Sequence, residues 1–285
     1  MRCGTVKSIW RYPVKGMGGE SLESGFLGKN GLNGDRIFAV RDTNRGEIQS
    51  CKFRPKLLLC QAKIKISNNS QTPSIDIYFP DGSIKASDNP LINQKLTELL
   101  GKNSTLEILR DAKDKAFFRR QKIDDHTWLE ELNATFERED GEPGPNFSDL
   151  PDSFVENVCT PGSFFLVTPF HFVTTTSLRF LKSLNPGSDW NERRFRPNLV
   201  IECDPKFEGL LEKNWIGRQI KIGDATISCV DETIRCGAIT KAQKGLLQDK
   251  TMLRTIVKDA NQNVGAYGTI FSDGHIRVGD PVSLL

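Results

Sequence analysis

The chain has 285 residues, enough for two domains or for one large one. Its 39 basic and 36 acidic residues give a formal net charge of only +3, which argues against a protein that binds nucleic acid electrostatically. Hydrophobic residues make up 37% of the chain, so a packed core can form and intrinsic disorder is excluded.

Strands dominate the prediction for the first part of the chain. A loop at 12–16 interrupts them early, because Pro13 and Gly16 disfavour regular pairing. A helix with an apolar face ends at Gly101, a residue type that commonly terminates helices. In chain order, the strands are predicted at 6–9, 35–41, 47–51 and 75–79, and the helix at 92–100.

Residues 111–150 differ in character from the rest of the chain. Charged residues cluster there, and the Gly and Pro residues of 141–145 favour neither helix nor strand. We interpret this stretch as a charged, partly helical connection that leads into a mobile loop. It separates an N-terminal β-barrel-like region at 1–110 from a second region at 151–285.

The last part of the chain returns to strands with one helix. The strands are predicted at 170–174, 198–202, 219–230 and 274–284, and the helix at 175–184. Many short strands with few helices predict an α+β, mostly β fold, either a barrel or a sandwich with helical additions. The βαβ rhythm and the Gly-rich fingerprints of nucleotide-binding folds are absent from the sequence.

The cysteines and the N-terminus bear on the cellular compartment. Seven cysteines are scattered along the chain without a CxxC pair, which argues against a structural zinc site. The N-terminus lacks the features of a secretory signal, and no apolar run is long enough to cross a membrane. We therefore expect a cytoplasmic protein with free thiols and no membrane association.

The three histidines are dispersed, at 126, 171 and 275, so a histidine metal cluster is not expected. No GxSxG motif supports a hydrolase, although a Ser-His-Asp triad cannot be judged from the sequence alone. We interpret His171 as a packing or hydrogen-bonding residue rather than a catalytic base.

Cationic residues lie at predicted strand ends and are candidates for anion binding. Arg196 precedes Pro197 at a strand entrance, where a planar guanidinium can bind two oxygens of a phosphate. Lys15 and Arg36 lie in comparable positions, but each of these residues also fits a solvated surface charge. Arg235 precedes Cys236 and would favour its thiolate, the form that binds soft metals, although a free cysteine is more often a small buried hydrophobe.

Several short motifs occur in a specific order. They are YPVKG at 12–16, GLNGDR at 31–36, TTTSL at 174–178, RRFRPNLV at 193–200, NWIG at 214–217, TIRC at 233–236, GAY at 265–267 and RVGDPVSLL at 277–285. With this set the chain resembles the MOSC family in its two-part form, in which a MOSC N-terminal β-barrel region precedes the MOSC domain. It is similar to the mitochondrial amidoxime-reducing component and its bacterial counterparts over nearly the whole chain, least so at 111–150.

The resemblance implies a molybdenum cofactor, a molybdopterin, with Cys236 as the protein thiolate on the metal and the catalytic cysteine. The cofactor-binding residues that it implies are Lys15, Gly16, Arg36, Thr168, Arg196, Asn198, Arg235 and Tyr267. The implied activity is that of a molybdenum-dependent oxidoreductase that reduces N-hydroxylated small molecules. Because the iron–sulfur cysteine spacing of some bacterial relatives is missing and the chain ends at Leu285, we expect the electrons to come from a separate protein.

One position departs from the family pattern. Leu166 occupies the place where relatives commonly carry Asp, and leucine can neither move protons nor bind a substrate through charge. Cofactor binding should survive this change better than the relatives' substrate range. The alternative to a reductase is therefore a non-catalytic carrier of the cofactor or of sulfur, and a third class is a scaffold protein.

Overall fold

The computed structural model describes residues 1–65, 73–121, 128–145 and 156–285. Its strands are β1 (Arg2–Arg11), β2 (Glu20–Leu22), β3 (Ser24–Gly28), β4 (Gly31–Leu32), β5 (Phe38–Asp42), β6 (Glu47–Ile48), β7 (Gln61–Lys65), β8 (Ser74–Tyr78), β9 (Ile84–Ala86), β10 (Ser104–Ile108), β11 (Phe170–Thr174), β12 (Leu199–Glu202), β13 (Gln219–Ile222), β14 (Ala225–Ile234), β15 (Asn263–Ser272), β16 (Gly274–Arg277) and β17 (Pro281–Leu284).

The helices of these ranges are α1 (Ile92–Leu100), α2 (Lys115–Phe118), α3 (Trp128–Ala134), α4 (Thr175–Leu184) and α5 (Thr251–Asp259). Short 3₁₀ turns lie at Pro55–Leu59, Glu192–Phe195, Leu211–Trp215 and Gly237–Thr240. Within the described ranges, no helix has the length and apolar character needed to cross a membrane.

A closed barrel is the main architectural unit. The largest sheet of the described residues has eight strands in the order β12-β11-β15-β14-β13-β17-β1-β2, and β1 also pairs with β12. This additional pairing closes the ring from β12 to β1 and leaves β2 attached outside it. Closure removes the free strand edges that would otherwise attract other chains. The predicted mostly β fold, with a barrel and a few helices, is confirmed.

The barrel interior is apolar because side chains alternate between its two faces along each strand. On β14, Ala225, Ile227 and Cys229 are buried, whereas the residues between them are partly exposed. Phe172 of β11 and Ile220 of β13 pack into the same core. This rigid framework fixes the loops at the ends of the strands, where the candidate residues lie.

A second apolar core lies in the N-terminal part of the chain. Two three-stranded sheets, β10-β5-β6 and β7-β8-β9, surround it together with α1. On α1 the buried residues are Ile92 and Leu96, and Gly101 ends the helix in a left-handed conformation with φ +66°. The strand predicted at 47–51 ends earlier, at Ile48, because a turn closed by the Phe53 N–H on the Ser50 carbonyl follows it.

The first two strands of the chain belong to the barrel sheet, and β3 and β4 form a separate three-stranded sheet with β16. The N-terminal part of β1 pairs with β17 and its middle with β12, while β3 pairs with β16 near the C-terminus. The division at 1–110, 111–150 and 151–285 stays a prediction, and its boundary at 150 lies outside the described residues. In the described parts of 111–150, α2 and α3 supply the helical content, and 135–145 contains neither helix nor strand.

Candidate functional site

The predicted site residues converge on one cavity of about 970 Å³. Its lining includes every one of them, namely Lys15, Gly16, Arg36, Thr168, Arg196, Asn198, Arg235, Cys236 and Tyr267. All except Tyr267, which lies on β15, are in loops that follow or precede strands of the barrel or of the N-terminal sheets. The structure therefore brings together residues from distant parts of the chain, while their individual roles stay predictions.

Two arginines of the cavity share an aromatic partner. The guanidinium carbons of Arg36 and Arg196 lie 5.0 and 4.4 Å from the ring centroid of Tyr12, which is buried at the start of the loop after β1. Both arginines have positive φ angles, +50° and +54°. This conformation is uncommon for residues other than glycine, and such strain is found preferentially at functional sites.

The cations at this end of the cavity are incompletely neutralised. Arg36 forms an ion pair with the buried Asp35. Lys15 instead donates from Nζ to the Phe164 carbonyl over 2.7 Å, and Arg196 donates to the carbonyl of Met17. Across the described ranges, no carboxylate lies within 4.0 Å of either Lys15 or Arg196.

Burial acts on both of these groups. It lowers the pKa of Lys15 and the pKa of Arg196, because the charged forms lose hydration, and the charge of Asp35 offsets only part of this loss at Arg196. An anionic ligand would supply the missing charge. We call this part of the cavity, formed by Lys15, Arg36 and Arg196, the cation end.

Asn198 holds the cation end in place through a fully used amide. Its Oδ1 accepts from the His171 N–H over 3.2 Å, and its Nδ2 donates to the Asp35 carboxylate over 2.9 Å and to the Trp10 carbonyl over 3.3 Å. These bonds tie the start of β11 to the end of β1 and to the partner of Arg36. Asn198 therefore positions its neighbours, and a direct contact with a cofactor stays a prediction.

Arg235 is also committed to protein partners. Its Nε donates to the Val264 carbonyl over 2.8 Å, its Nη1 to the Phe195 carbonyl over 3.2 Å, and its Nη2 lies 2.6 Å from Nε2 of His171. Burial lowers the pKa of Arg235 to about 10, so the guanidinium remains charged at neutral pH. The side chain pins the loop before Cys236 to β15.

His171 is a hydrogen-bonding residue in the wall of the cavity, as predicted. Burial first, and then the neighbouring Arg235, hold its pKa well below the ordinary value, so the ring is neutral. Because Arg235 can only donate, Nε2 of His171 is the acceptor and its proton lies on Nδ1. His126 lies outside the described residues.

Cys236 differs from the other cysteines in exposure. All six others are buried, whereas Cys236 is partly exposed and lines the cavity two residues after β14. Tyr267 lies near it, and burial raises the pKa of this phenol, which is therefore protonated at neutral pH. We call the surroundings of Cys236, including Arg235, His171 and Tyr267, the thiol end.

A metal at Cys236 would need ligands beyond those that the described residues provide. In the part of the chain that the structure describes, no three His, Cys, Asp or Glu residues come together as a metal site. A single soft thiolate combined with the sulfur atoms of an organic cofactor would satisfy a metal such as molybdenum.

Thr233 is a lining residue to which the sequence assigned no role. It is 3% exposed, and its Oγ1 has no hydrogen-bond partner among the described residues. A buried hydroxyl without a partner is costly, and a bound ligand can satisfy it. Its place in the TIRC motif is the only signal in the sequence, since the missing partner is visible only in the fold. Cys51 and Lys52, from the turn after β6, also line the cavity and were not singled out.

Leu166 lies in the wall of the cavity and is partly buried. It also borders a smaller pocket of about 80 Å³, which Lys15 and Lys52 line as well. The position is thus apolar in this chain but has cations nearby. The carboxylates that line the larger cavity among the described residues are those of Asp231 and Glu232, and Glu232 pairs with Lys213 over 2.8 Å. Glu47 and Glu131 also line the smaller pocket.

Comparison with known proteins places both parts of the chain in described families. The model of the MOSC domain matches residues 129–283, and that of the MOSC N-terminal beta barrel domain matches residues 3–112. No curated protein matches the chain.

Solved structures give weaker likenesses. The YUAD protein from Bacillus subtilis has a TM-score of 0.44 at 10% identity, over 99% of this chain and 94% of that chain. YiiM from Geobacillus stearothermophilus has a TM-score of 0.31 at 16% identity, over 41% of this chain and 54% of that chain. YiiM from Escherichia coli has a TM-score of 0.28 at 14% identity, over the same 41% and 54%. The chain thus spans about half the length of the YiiM proteins.

Proposed function

The chain belongs to the MOSC family, and on that premise we propose that it binds a molybdenum cofactor and reduces N-hydroxylated small molecules with electrons from a separate donor protein. One observation carries the proposal. A single cavity of about 970 Å³ combines cations that lack acidic partners with the partly exposed thiol of Cys236. A phosphate-bearing pterin with a bound metal needs both features.

The residues present fit such a group. Lys15 and Arg196 have no carboxylate within 4.0 Å among the described residues, so a phosphate would be their natural counter-ion. The unpartnered Oγ1 of Thr233 can donate to a polar ring edge. A Cβ at Gly16 would lie 3.0 Å from the Cys51 backbone nitrogen, and the φ of +83° also favours glycine. At this position the cavity is therefore lined by backbone without a side chain.

We assign the holding residues accordingly. Lys15, Arg36 and Arg196 would bind the phosphate, and Cys236 would provide the protein ligand to the metal. When bound, the cofactor supplies the two-electron chemistry that cleaves an N–O bond and releases its oxygen as water. The framework of Arg235 and His171 fixes the thiol relative to the cation end.

The protein also supplies a proton-bearing group near the thiol. Because the pKa of Tyr267 is raised by burial, its Oη keeps its proton at neutral pH and can donate a hydrogen bond to a substrate oxygen. Leu166, another lining residue, cannot supply a carboxylate. We therefore propose slow turnover relative to family members with an acid at that place, in a cytoplasmic, reducing environment that keeps Cys236 free.

The apolar character of Leu166 also favours one alternative, a non-catalytic carrier of the cofactor or of sulfur. Two measurements separate the candidates. Molybdenum and pterin analysis of freshly purified protein distinguishes either one from a scaffold protein, which would contain neither. Turnover of a hydroxylamine with a reduced dye then distinguishes the reductase from the carrier, and metal-replete protein without turnover would refute the reductase.

A further inference from the structure

We propose that Glu137 is a positioning residue for Cys236 and acts through Gly237. The segment 135–138, which follows α3, would hold the loop after the thiol in the conformation that the site needs. This inference rests on the proposed role of Cys236, but it concerns residues that neither the sequence motifs nor the family resemblance singled out.

Glu137 packs directly against the residue that follows the thiol. A Cβ built on Gly237 would lie 2.6 and 2.7 Å from the two carboxylate oxygens of Glu137, closer than real Cβ contacts allow. The carboxylate thus fills the space that a side chain at 237 would take. A side chain at 237 would therefore have to displace the Glu137 carboxylate, although the φ angle of Gly237 is not in the left-handed region.

The loop after Cys236 is fastened to the same segment by polar contacts. Lys241 forms an ion pair with Oε1 of Glu137, and Thr240 donates from Oγ1 to Oε2 over 3.4 Å. The Gly237 N–H donates to the Thr135 carbonyl over 2.8 Å. The loop 237–241 is therefore held both at its first and at its last residue.

The chain on the other side of the thiol is connected to this segment as well. The Arg235 N–H donates to the Gln262 carbonyl over 2.8 Å, and the Gln262 side chain accepts from the guanidinium of Arg138. Both neighbours of Cys236 in the sequence are thus bonded, directly or through one residue, to 135–138. Loosening the segment should free the thiol from both sides.

Glu137 itself has a backbone conformation that its surroundings must maintain. Its φ is +49°, which is uncommon for glutamate and costs conformational energy. Arg254 of α5 donates to the Glu137 carbonyl and also pairs with Glu142. Strain maintained by several surrounding contacts, next to a candidate reactive group, is typical of a residue retained for positioning rather than for local stability.

The rate of alkylation of Cys236 by iodoacetamide tests this role without reference to catalysis. The probe is used on the full chain purified from a host that makes no molybdenum cofactor, and mass spectrometry of the Cys236 peptide gives the rate. Glu137→Ala should raise the rate about fivefold, the effect of one net hydrogen bond on a local opening equilibrium. Glu137→Gln should keep the wild-type rate, because the amide fills the same space and its oxygen accepts from Lys241.

Matched variants separate positioning from general destabilisation. Asp140→Asn changes an exposed acid of the same stretch, and it should leave the rate unchanged. Gly237→Ala should displace the carboxylate and raise the rate as Glu137→Ala does, and the double variant should react no faster than either one. If Glu137→Ala does not fold, Lys241→Met removes the ion pair from the other side and should show the same acceleration.

The proposal is overturned if Glu137→Ala, or Lys241→Met in its place, reacts at the wild-type rate, if Glu137→Gln reacts as fast as Glu137→Ala, or if the effects of Glu137→Ala and Gly237→Ala multiply. Failure of the proposed function would show separately, as molybdenum retained after loss of the Cys236 thiol. The alkylation result and the molybdenum result are independent readouts.

Discussion

The cation end and the thiol end of the cavity differ in how their polar groups are satisfied. At the cation end, the acceptors of Lys15 and Arg196 among the described residues are backbone carbonyls, and burial lowers the pKa of each. At the thiol end, Arg235 has three protein acceptors and His171 is a neutral acceptor. The cation end needs an anion to balance its charge. At the thiol end, Arg235 and His171 already have protein partners, and the Thr233 hydroxyl has none among the described residues.

The two ends therefore have different roles: the cation end contributes ligand affinity, and the thiol end fixes the position of the thiol. Buried cations that lack a counter-ion contribute most to affinity, because their desolvation cost is already paid in the folded protein and an anionic ligand neutralises them. Groups that already have partners contribute little affinity but hold a reactive atom at a fixed place. We therefore expect substitutions at the two ends to have different signatures, and the predictions below are arranged from the largest effect to the smallest.

The largest effect is expected at the thiol. Cys236→Ser should lower the molybdenum content of purified protein by about a hundredfold, because a serine oxygen is a poor substitute for a soft thiolate. Cys203→Ser and Cys229→Ser are the controls, since both residues are buried in the barrel core. Equal losses in all three variants, or none in Cys236→Ser, would remove the thiol end from the site.

The wall position Leu166 tests whether the cavity lacks a catalytic acid. Leu166→Asp should raise hydroxylamine turnover about a hundredfold, the low end of what positioned acid–base groups contribute. The new carboxylate would lie in a wall that includes Glu47 and Glu131 but also Lys15 and Lys52, and with these lysines as counter-ions the melting temperature should stay close to wild type. Molybdenum content should not change.

The opposite result for Leu166→Asp is equally informative. A lower melting temperature with no gain in turnover would mean that residue 166 belongs to the packed wall and that the family's acid is not equivalent to it. Leu166→Asn serves as the neutral control, because it is polar but supplies no charge and no acid.

A smaller effect is expected at the cation end. Arg196→Lys should weaken retention of the cofactor about tenfold, since an ammonium group cannot bind two phosphate oxygens as a guanidinium does. Arg193→Lys is the matched control. Arg193 lies in the same RRFRP run but bonds to Asn191 and Lys244, away from the cavity lining. Equal effects of the two variants would contradict an anion site at Arg196.

The sequence predicted where the site lies better than how each residue works. The motifs are local patterns at strand ends, so Lys15, Arg196 and Cys236 could be identified one by one. Their roles depend on neighbours from distant segments, and such neighbours follow only from the barrel topology. Nothing in the sequence shows that the Arg235 guanidinium turns to backbone carbonyls, or that the Asn198 amide is fully used.

The segment 135–138 illustrates the limit most clearly. It has no periodic pattern and lies where the family resemblance is weakest, so the sequence indicated only a charged connection there. Its contact with Gly237 arises from tertiary packing between residues about a hundred positions apart. Glycine at 237 was visible in the sequence, but its reason was not.

A buried acid beneath the thiol end joins three of the sequence motifs. Glu212 accepts from the Thr174 hydroxyl over 2.7 Å, from the Ser177 hydroxyl and from the Gly265 N–H over 2.9 Å. It is fully buried, and burial raises its pKa above the ordinary value of 4.5. The four residues link TTTSL and GAY to the turn that leads into NWIG.

The smallest expected effect is the pH dependence that Glu212 contributes. Because its pKa is higher in the folded than in the unfolded state, the folded protein binds the proton more tightly, and stability falls as pH rises from the unfolded pKa to the folded one.

Glu212→Gln cannot titrate and keeps an acceptor oxygen. At pH 7 it should differ from wild type by no more than about 1 kcal/mol in the free energy of unfolding. Relative to wild type, the variant should gain stability as pH rises from the unfolded pKa to the folded one and then level off, which urea unfolding from pH 4.5 to pH 8 would measure. A relative loss with rising pH would mean that the folded state favours the charged carboxylate. Glu212 would then be ionised in the folded protein. The polar groups near the thiol would not all be balanced by protein partners, which is the feature that distinguishes the thiol end from the cation end.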